Sequence, residues 1–177
     1  MIDFSHTGLA EIAAFVCSHL KRAGIDCVLS GGACVSIYSE NKYMSYDLDF
    51  IETGFTDRKK LVDAMNEIGF IEENRYFVRT DCKFFVEFPS GPLAVGSEPV
   101  KEIVTLKFKT GELRIISPTD AVKDRLAAFY FWDDLQSLEQ AILITRFNEI
   151  DLDEVKRWSS VENKLILFNK FLYMLKK

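Results

Sequence analysis

A chain of 177 residues is long enough for one domain with a real core, and its 27 acidic against 22 basic residues, a formal charge of −5, tell against a broad nucleic-acid-coating surface. No stretch approaches the roughly 18 apolar residues of a membrane span and no basic leader precedes Asp3 and Glu11, so the sequence predicts a cytoplasmic protein. The two histidines, His6 and His19, lie in the first twenty positions and Cys17, Cys27, Cys34 and Cys82 show no C-x-x-C spacing, which excludes a zinc site and leaves catalysis to carboxylates and a metal ion.

Leu9, Ile12, Ala13, Val16 and Leu20 recur at helical spacing and predict a first helix over 9–23, with Gly24 as its stop. Residues 25–30 form a short β-branched and apolar run, a buried strand that Gly31-Gly32 breaks. A short helix over 33–39, a strand over 45–52 and an amphipathic helix over 57–68 follow, the last closed by Gly69. The middle is β-rich. Segments 70–71, 76–79, 82–88, 100–109 and 112–116 read as strands, Thr110-Gly111 as a hairpin turn, and the Pro- and Gly-rich 89–99 as a long loop, a lid or an edge segment.

From Ser117 onward the period is helical. Ser117 is placed as N-cap, Pro118 at the first helical position and Asp120 three residues after the cap. Val122, Leu126 and Phe129 form its buried stripe, and further helices are predicted over 135–147, 153–159 and 161–175. The expectation is an α+β fold: a mixed β-sheet core with flanking helices over 1–117, and a helical C-terminal part over 118–177, either separate or fused with the core. Lys164, Lys170, Lys176 and Lys177, with no acid after Glu162, read as a solvated helix face that complements the helix dipole.

Chemistry is concentrated in one constellation. Side chains alternate along a strand, so Asp47 and Asp49 project from one face while Leu48 and Phe50 enter the core. Two carboxylates on one face repel each other, and a divalent cation removes that repulsion; Mg²⁺ takes oxygen ligands and keeps waters and substrate phosphates. Gly31-Gly32 closes the preceding strand where backbone N–H groups approach a phosphate without obstruction. Glu87 alternates with Phe84, Val86 and Phe88, so it faces away from the core with Phe85 and is a third acid for a metal cradle or for deprotonating a hydroxyl. Taken singly, each piece has a plain alternative: a solvated edge strand, an ordinary turn, an exposed glutamate.

Together, Gly31-Gly32 and Ser45-Tyr46-Asp47-Leu48-Asp49-Phe50 resemble the hallmark of the DNA polymerase beta-like nucleotidyltransferase superfamily. The resemblance covers about 28–140 and is similar above all to small bacterial members, including toxins of the abortive-infection type. Ser117-Pro118-Thr119-Asp120 and Trp132-Asp133-Asp134 resemble the helical region that follows the core in those proteins. It implies nucleotide binding, two Mg²⁺ ions on Asp47, Asp49 and Glu87, and transfer of an NMP from an NTP to an acceptor that is a small molecule, tRNA or protein. Gly31, Gly32 and Ser45 would serve the nucleotide. Many active members carry Asp where this chain has Glu87, and a catalytically silent nucleotide- or partner-binding module is the alternative that this departure raises; a toxin of a toxin–antitoxin pair acting on tRNA or protein is the other.

Asp120, Lys123, Ala127, Tyr130 and Asp134 share one side of the helix after Ser117, read as a polar face opposite the Val122–Leu126–Phe129 stripe. By resemblance to related toxins Lys123 would contact the NTP phosphates, with Arg125 as the other candidate. Of the four consecutive aromatics Phe129–Trp132, most are expected in the core, because four in a row on a helix point all round.

Overall fold

In the computed structural model, which describes residues 2–177, the first helix, α1 (Leu9–Arg22), buries the stripe its spacing predicts. It is followed by β1 (Cys27–Ser30), α2 (Gly32–Tyr38), β2 (Asp47–Glu52) and α3 (Arg58–Glu67). Next come the strands β3 (Ile71–Glu73), β4 (Tyr76–Val78) and β5 (Phe85–Glu87), a ribbon of β6 (Ala94–Val95) and β7 (Glu98–Pro99), then β8 (Ile103–Phe108) and β9 (Gly111–Ile116). Four helices complete the chain: α4 (Pro118–Trp132), α5 (Leu135–Phe147), α6 (Leu152–Val161) and α7 (Leu165–Leu175). No helix among the described residues is long and apolar enough to cross a membrane.

Seven strands make one mixed sheet in the order β3-β4-β5-β2-β1-β9-β8. β2 is parallel to β5 and β1 to β9, while the other neighbours are antiparallel. This is the expected α+β architecture, with a helical C-terminal region. α1 lies across β9 and β1, held at its rim by Ser18, whose Oγ accepts from Glu112 N at 2.7 Å. Leu29, Phe50, Val86 and Ile115 fill the sheet interior, and one apolar cluster runs from Phe4 through these strands to Trp158 and Phe171 on the last helices. All four cysteines are buried and unpaired, as small apolar residues.

Several boundaries differ from the sequence expectation for definable reasons. The strand expected over 100–109 begins at Ile103, because the N–H groups of Lys101 and Glu102 are taken by the Asp120 carboxylate, at 3.2 and 3.4 Å. The loop expected over 89–99 contains the β6–β7 ribbon, turned at Gly96 with φ +60°. The helix expected over 161–175 begins only at Leu165. Asn163 adopts φ +58°, the left-handed conformation that ends α6, and the chain restarts as α7.

α4 starts as predicted: the Ser117 hydroxyl accepts from Asp120 N and Pro118 occupies the first turn. The polar face expected on it is not solvated. α6 packs against that side, so Asp120 and Lys123 are buried, Lys123 being 1 % exposed. Tyr130 is buried as well and its hydroxyl meets Ser159 Oγ at 2.9 Å, while Asp134 leaves the helix to cap α5. Of the aromatic run, Phe129 and Tyr130 enter the core, whereas Phe131 and Trp132 are exposed.

Candidate active site

β2 carries the site because its alternation is strict: Leu48 and Phe50 are fully buried, and Asp47 and Asp49 emerge on the opposite face. Pairing adds the third acid. In the parallel register of β2 and β5, Asp47 stands beside Phe85 and Asp49 beside Glu87. On the other flank Ser30 of β1 is the antiparallel partner of Asp49. Asp47, Asp49 and Glu87 therefore share one sheet face, next to the end of β1.

Gly31 explains why the turn after β1 is glycine. Its φ of +70° and ψ of −153° lie in a region open essentially to glycine alone, and a Cβ there would collide with Asp49 Oδ2. Gly32 is less constrained; its Cβ would meet Ser45 Oγ at 3.3 Å. Ser45 itself turns inward, donating to Asp47 O at 3.1 Å and accepting from Asp47 N, so it fixes the start of β2.

The three acids are only partly compensated by nearby cations. Burial, then the charges of Glu87 and Asp47, push the Asp49 carboxyl up to about 6, against the pull of Arg125. Glu87 Oε1 faces Arg75 Nε at 3.5 Å, and the Arg75 guanidinium lies 4.7 Å from the centre of the Tyr76 ring. No group of three or more His, Cys, Asp or Glu among the described residues is gathered closely enough to hold an ion by itself. The donors on this face are oxygen-only, the type that Mg²⁺ takes.

Lys123, assigned to the phosphates by resemblance, is engaged elsewhere. Its Nζ lies 2.8 Å from Asp120 Oδ1 and 3.3 Å from Glu154 Oε1, inside the α4–α6 interface. Arg125, the other candidate, is the cation that acts on Asp49; it also binds Asp124 Oδ2 through Nε at 3.0 Å and Nη2 at 2.5 Å. Arg75, Tyr76 and Asp124 went unnoticed in the sequence. Arg75 sits at the tip of the β3–β4 hairpin, and only strand pairing brings it to Glu87. Asp124 and Arg125 flank the Val122–Leu126 stripe as adjacent charges, and that was the signal available.

One cavity is lined by Asp47, and a second by Ser30, the pairing partner of Asp49. The first, about 230 Å³, opens at the sheet edge between Asp47, Glu73, Asn74, Tyr76, Val78 and Phe85. The second, about 210 Å³, is lined by Ser30, Ile51, Ser90, Val95, Ile116 and Asp124, under the 89–100 segment. A larger groove of about 640 Å³ between α1 and α3 is lined by none of the three acids and holds a mixture of opposed charges, including Lys59, Lys60, Asp63 and Glu67.

No family model matches the chain, and no curated protein matches it in sequence. Solved structures carry the likeness. An antigenic nucleotidyltransferase-like protein from Paracoccidioides brasiliensis superposes with a TM-score of 0.59 at 14 % identity, over 80 % of this chain and 77 % of that one. The antibiotic-resistance factor ANT(2'')-Ia superposes with a TM-score of 0.52 at 15 % identity, over 99 % of this chain and 97 % of its own. At such identities the likeness is one of fold. The chain has a distant nucleotidyltransferase-like fold, and the likeness does not single out the toxin-type branch that the sequence suggested.

Proposed function

We propose that the protein is a metal-dependent nucleotidyltransferase that moves an NMP from an NTP to an acceptor hydroxyl or phosphate and releases pyrophosphate. The observation that carries this reading is the register of β2 and β5, which sets Asp49 beside Glu87 with Asp47 on the same face, above a Gly31 that leaves the carboxylate room. Asp47 and Asp49, with Glu87, would hold Mg²⁺, which when bound neutralises the triphosphate and polarises the acceptor. The backbone at Gly31 and Gly32 admits the phosphates closely. The acceptor enters from the edge cavity beside Asp47, and its oxygen forms a bond to the α-phosphorus while the bond from that phosphorus to the β-phosphate oxygen breaks. The acceptor proton passes to Glu87 or to water, and Arg125 limits the repulsion around Asp49.

The test is transfer of label from α-labelled NTPs with Mg²⁺ across a panel of small-molecule, tRNA and protein acceptors. Wild type should transfer label and release pyrophosphate, and Asp49→Asn should lose about a thousandfold or more in rate while keeping its fold. Undiminished transfer in Asp49→Asn would sink the metal assignment. A second reading, a silent nucleotide-binding module, is favoured by the Arg75–Glu87 contact, which occupies the third acid. NTP binding without pyrophosphate release for any acceptor would establish it in place of the first.

A further inference from the structure

The side of α4 that stays open to solvent starts beside the carboxylates and ends on two bare aromatic rings. Asp124 and Arg125, Ala127 and Ala128, then Phe131 and Trp132 recur three and four apart, so they share one side of the helix. Leu126, Phe129 and Tyr130 point the other way and are buried. At the near end Arg125 acts on Asp49 and is paired with Asp124. Two turns further, about 10 Å along the axis, Trp132 is 77 % exposed and Phe131 47 %. Their rings meet edge to face at 6.3 Å, and only the small side chains of Ala127 and Ala128 lie between them and the charged pair.

α7 brings positive charge to the same place. Lys164 Nζ lies 5.0 Å from the centre of the Phe131 ring, and Lys170 Nζ 5.1 Å from that of Phe129. Among the described residues the lysine ion pairs are made by Lys101, Lys107 and Lys123, and neither Lys164 nor Lys170 is in one. No acid follows Glu162, whose carboxylate accepts from Ser97. Asp134 caps α5, which leaves Asp133 as the acid beside Trp132. The surface is thus aromatic on its α4 side and basic on its α7 side.

Charge and shape together select the occupant. A second copy of this chain, placed on this surface by a two-fold axis, would set lysine against lysine, since α7 has no acid to answer them. An acidic peptide would answer the lysines but offers nothing flat to the rings. A duplex hides its base faces and calls for a broad basic surface, against a net charge of −5. A single strand presents both phosphates and free base faces. We propose that the Phe131–Trp132 and Lys164–Lys170 surface docks single-stranded nucleic acid, with bases stacked on the rings and phosphates at the lysines. The open side of α4 between Trp132 and Arg125 has room for about three stacked nucleotides. Binding here needs neither Mg²⁺ nor an NTP, so it is separable from the transfer reaction proposed above.

The experiment titrates the full-length protein, in EDTA and without NTP, into labelled single strands of about 12 nucleotides, RNA and DNA in separate arms, and follows anisotropy. Tryptophan emission is the second readout: Trp158 is fully buried, so quenching by stacked bases reports Trp132. Single strands should bind and quench, more tightly than the same sequence as duplex, and the tighter arm tells RNA from DNA. Trp132→Ala should weaken binding roughly tenfold to hundredfold at unchanged melting temperature, and Trp132→Phe should restore most of it. Lys164→Gln and Lys170→Gln should each lower the slope of log K against log salt by about 0.7. Undiminished binding in Trp132→Ala, equal binding of duplex, or equal competition by polyglutamate would overturn the proposal. So would sedimentation showing a wild-type dimer that Trp132→Ala dissolves. Failure of both single strands to bind would overturn it too, and would leave NTP transfer, assayed separately, untouched.

Discussion

Two charged clusters of similar size stand in this molecule, and they are built on opposite rules. Between α4, α6 and the segment before β8, Asp120 is met by Lys123 and two backbone N–H groups, and Glu154 by Lys101, Lys123 and Arg157. Arg157 first, then the two lysines, holds the Glu154 carboxyl well below the usual range. No buried side-chain polar atom among the described residues is left without a partner. On β2 and β5, by contrast, Asp47, Asp49 and Glu87 share a face with one exposed arginine and one already committed to Asp124. The fold completes the first cluster and leaves the second in surplus negative charge. The metal-dependent reading proposed above rests on that contrast.

The largest effect that separates the two clusters comes from removing a cation where the charges balance. Lys123→Met fills the space but leaves Asp120 and Glu154 facing each other across the interface, and should cost about 3 kcal/mol in chemical denaturation. Binding of Mg²⁺–NTP, measured well below the lowered melting temperature, should be unchanged, because Lys123 is turned away from the carboxylate face. A weakened nucleotide affinity with intact stability would instead return Lys123 to the phosphate site.

Gly31→Ala probes the partly compensated cluster and ranks next. The backbone conformation at Gly31 is open essentially to glycine, and the new Cβ would displace the Asp49 carboxylate. Destabilisation of about 2 kcal/mol is expected, accompanied by loss of Mg²⁺–NTP binding. Gly32→Ala lies inside α2 and meets only Ser45 and Tyr43 at ordinary or slightly tight distances, so it should change stability far less. Equal effects of the two substitutions would show that the close approach of Asp49 to Gly31 is without consequence.

What could be read from the sequence follows from how local each signal is. The alternation that exposes Asp47 and Asp49, the cap at Ser117 and the stripe of α1 are set by neighbours within a few residues, and they stand in the structure. Glu87 was placed on the right face by its own strand, yet its position beside Asp49 depends on a parallel pairing between segments almost forty residues apart. The surroundings of Lys123 were hidden for the same reason. Its spacing to Asp120 was legible, but that α6 would cover this side of α4 was not, since burial of a helix's second face is decided by whatever packs there. Arg75 became visible only through such long-range pairing.

The smallest predicted effect concerns the stability of Asp49 itself, and its sign runs opposite to that of an ordinary paired acid. The folded carboxyl titrates at about 6, above the unfolded value of 3.8, so between these pH values the folded state binds more protons than the unfolded one. Stability is therefore unpenalised below about pH 4, falls as pH rises, and carries the full cost above about pH 6. Asp49→Asn removes the charge and keeps the shape. With EDTA present to strip metal, it should be more stable than wild type at pH 7.5, the gain shrinking towards zero as the pH falls to about 4. A difference that does not change between the two pH values would mean that Asp49 is not repelled by its neighbours, and the contrast between the two clusters would lose its physical basis. The predicted gain in stability accompanies the predicted loss of transfer, which is the relation expected where a fold maintains charge repulsion for a ligand to relieve.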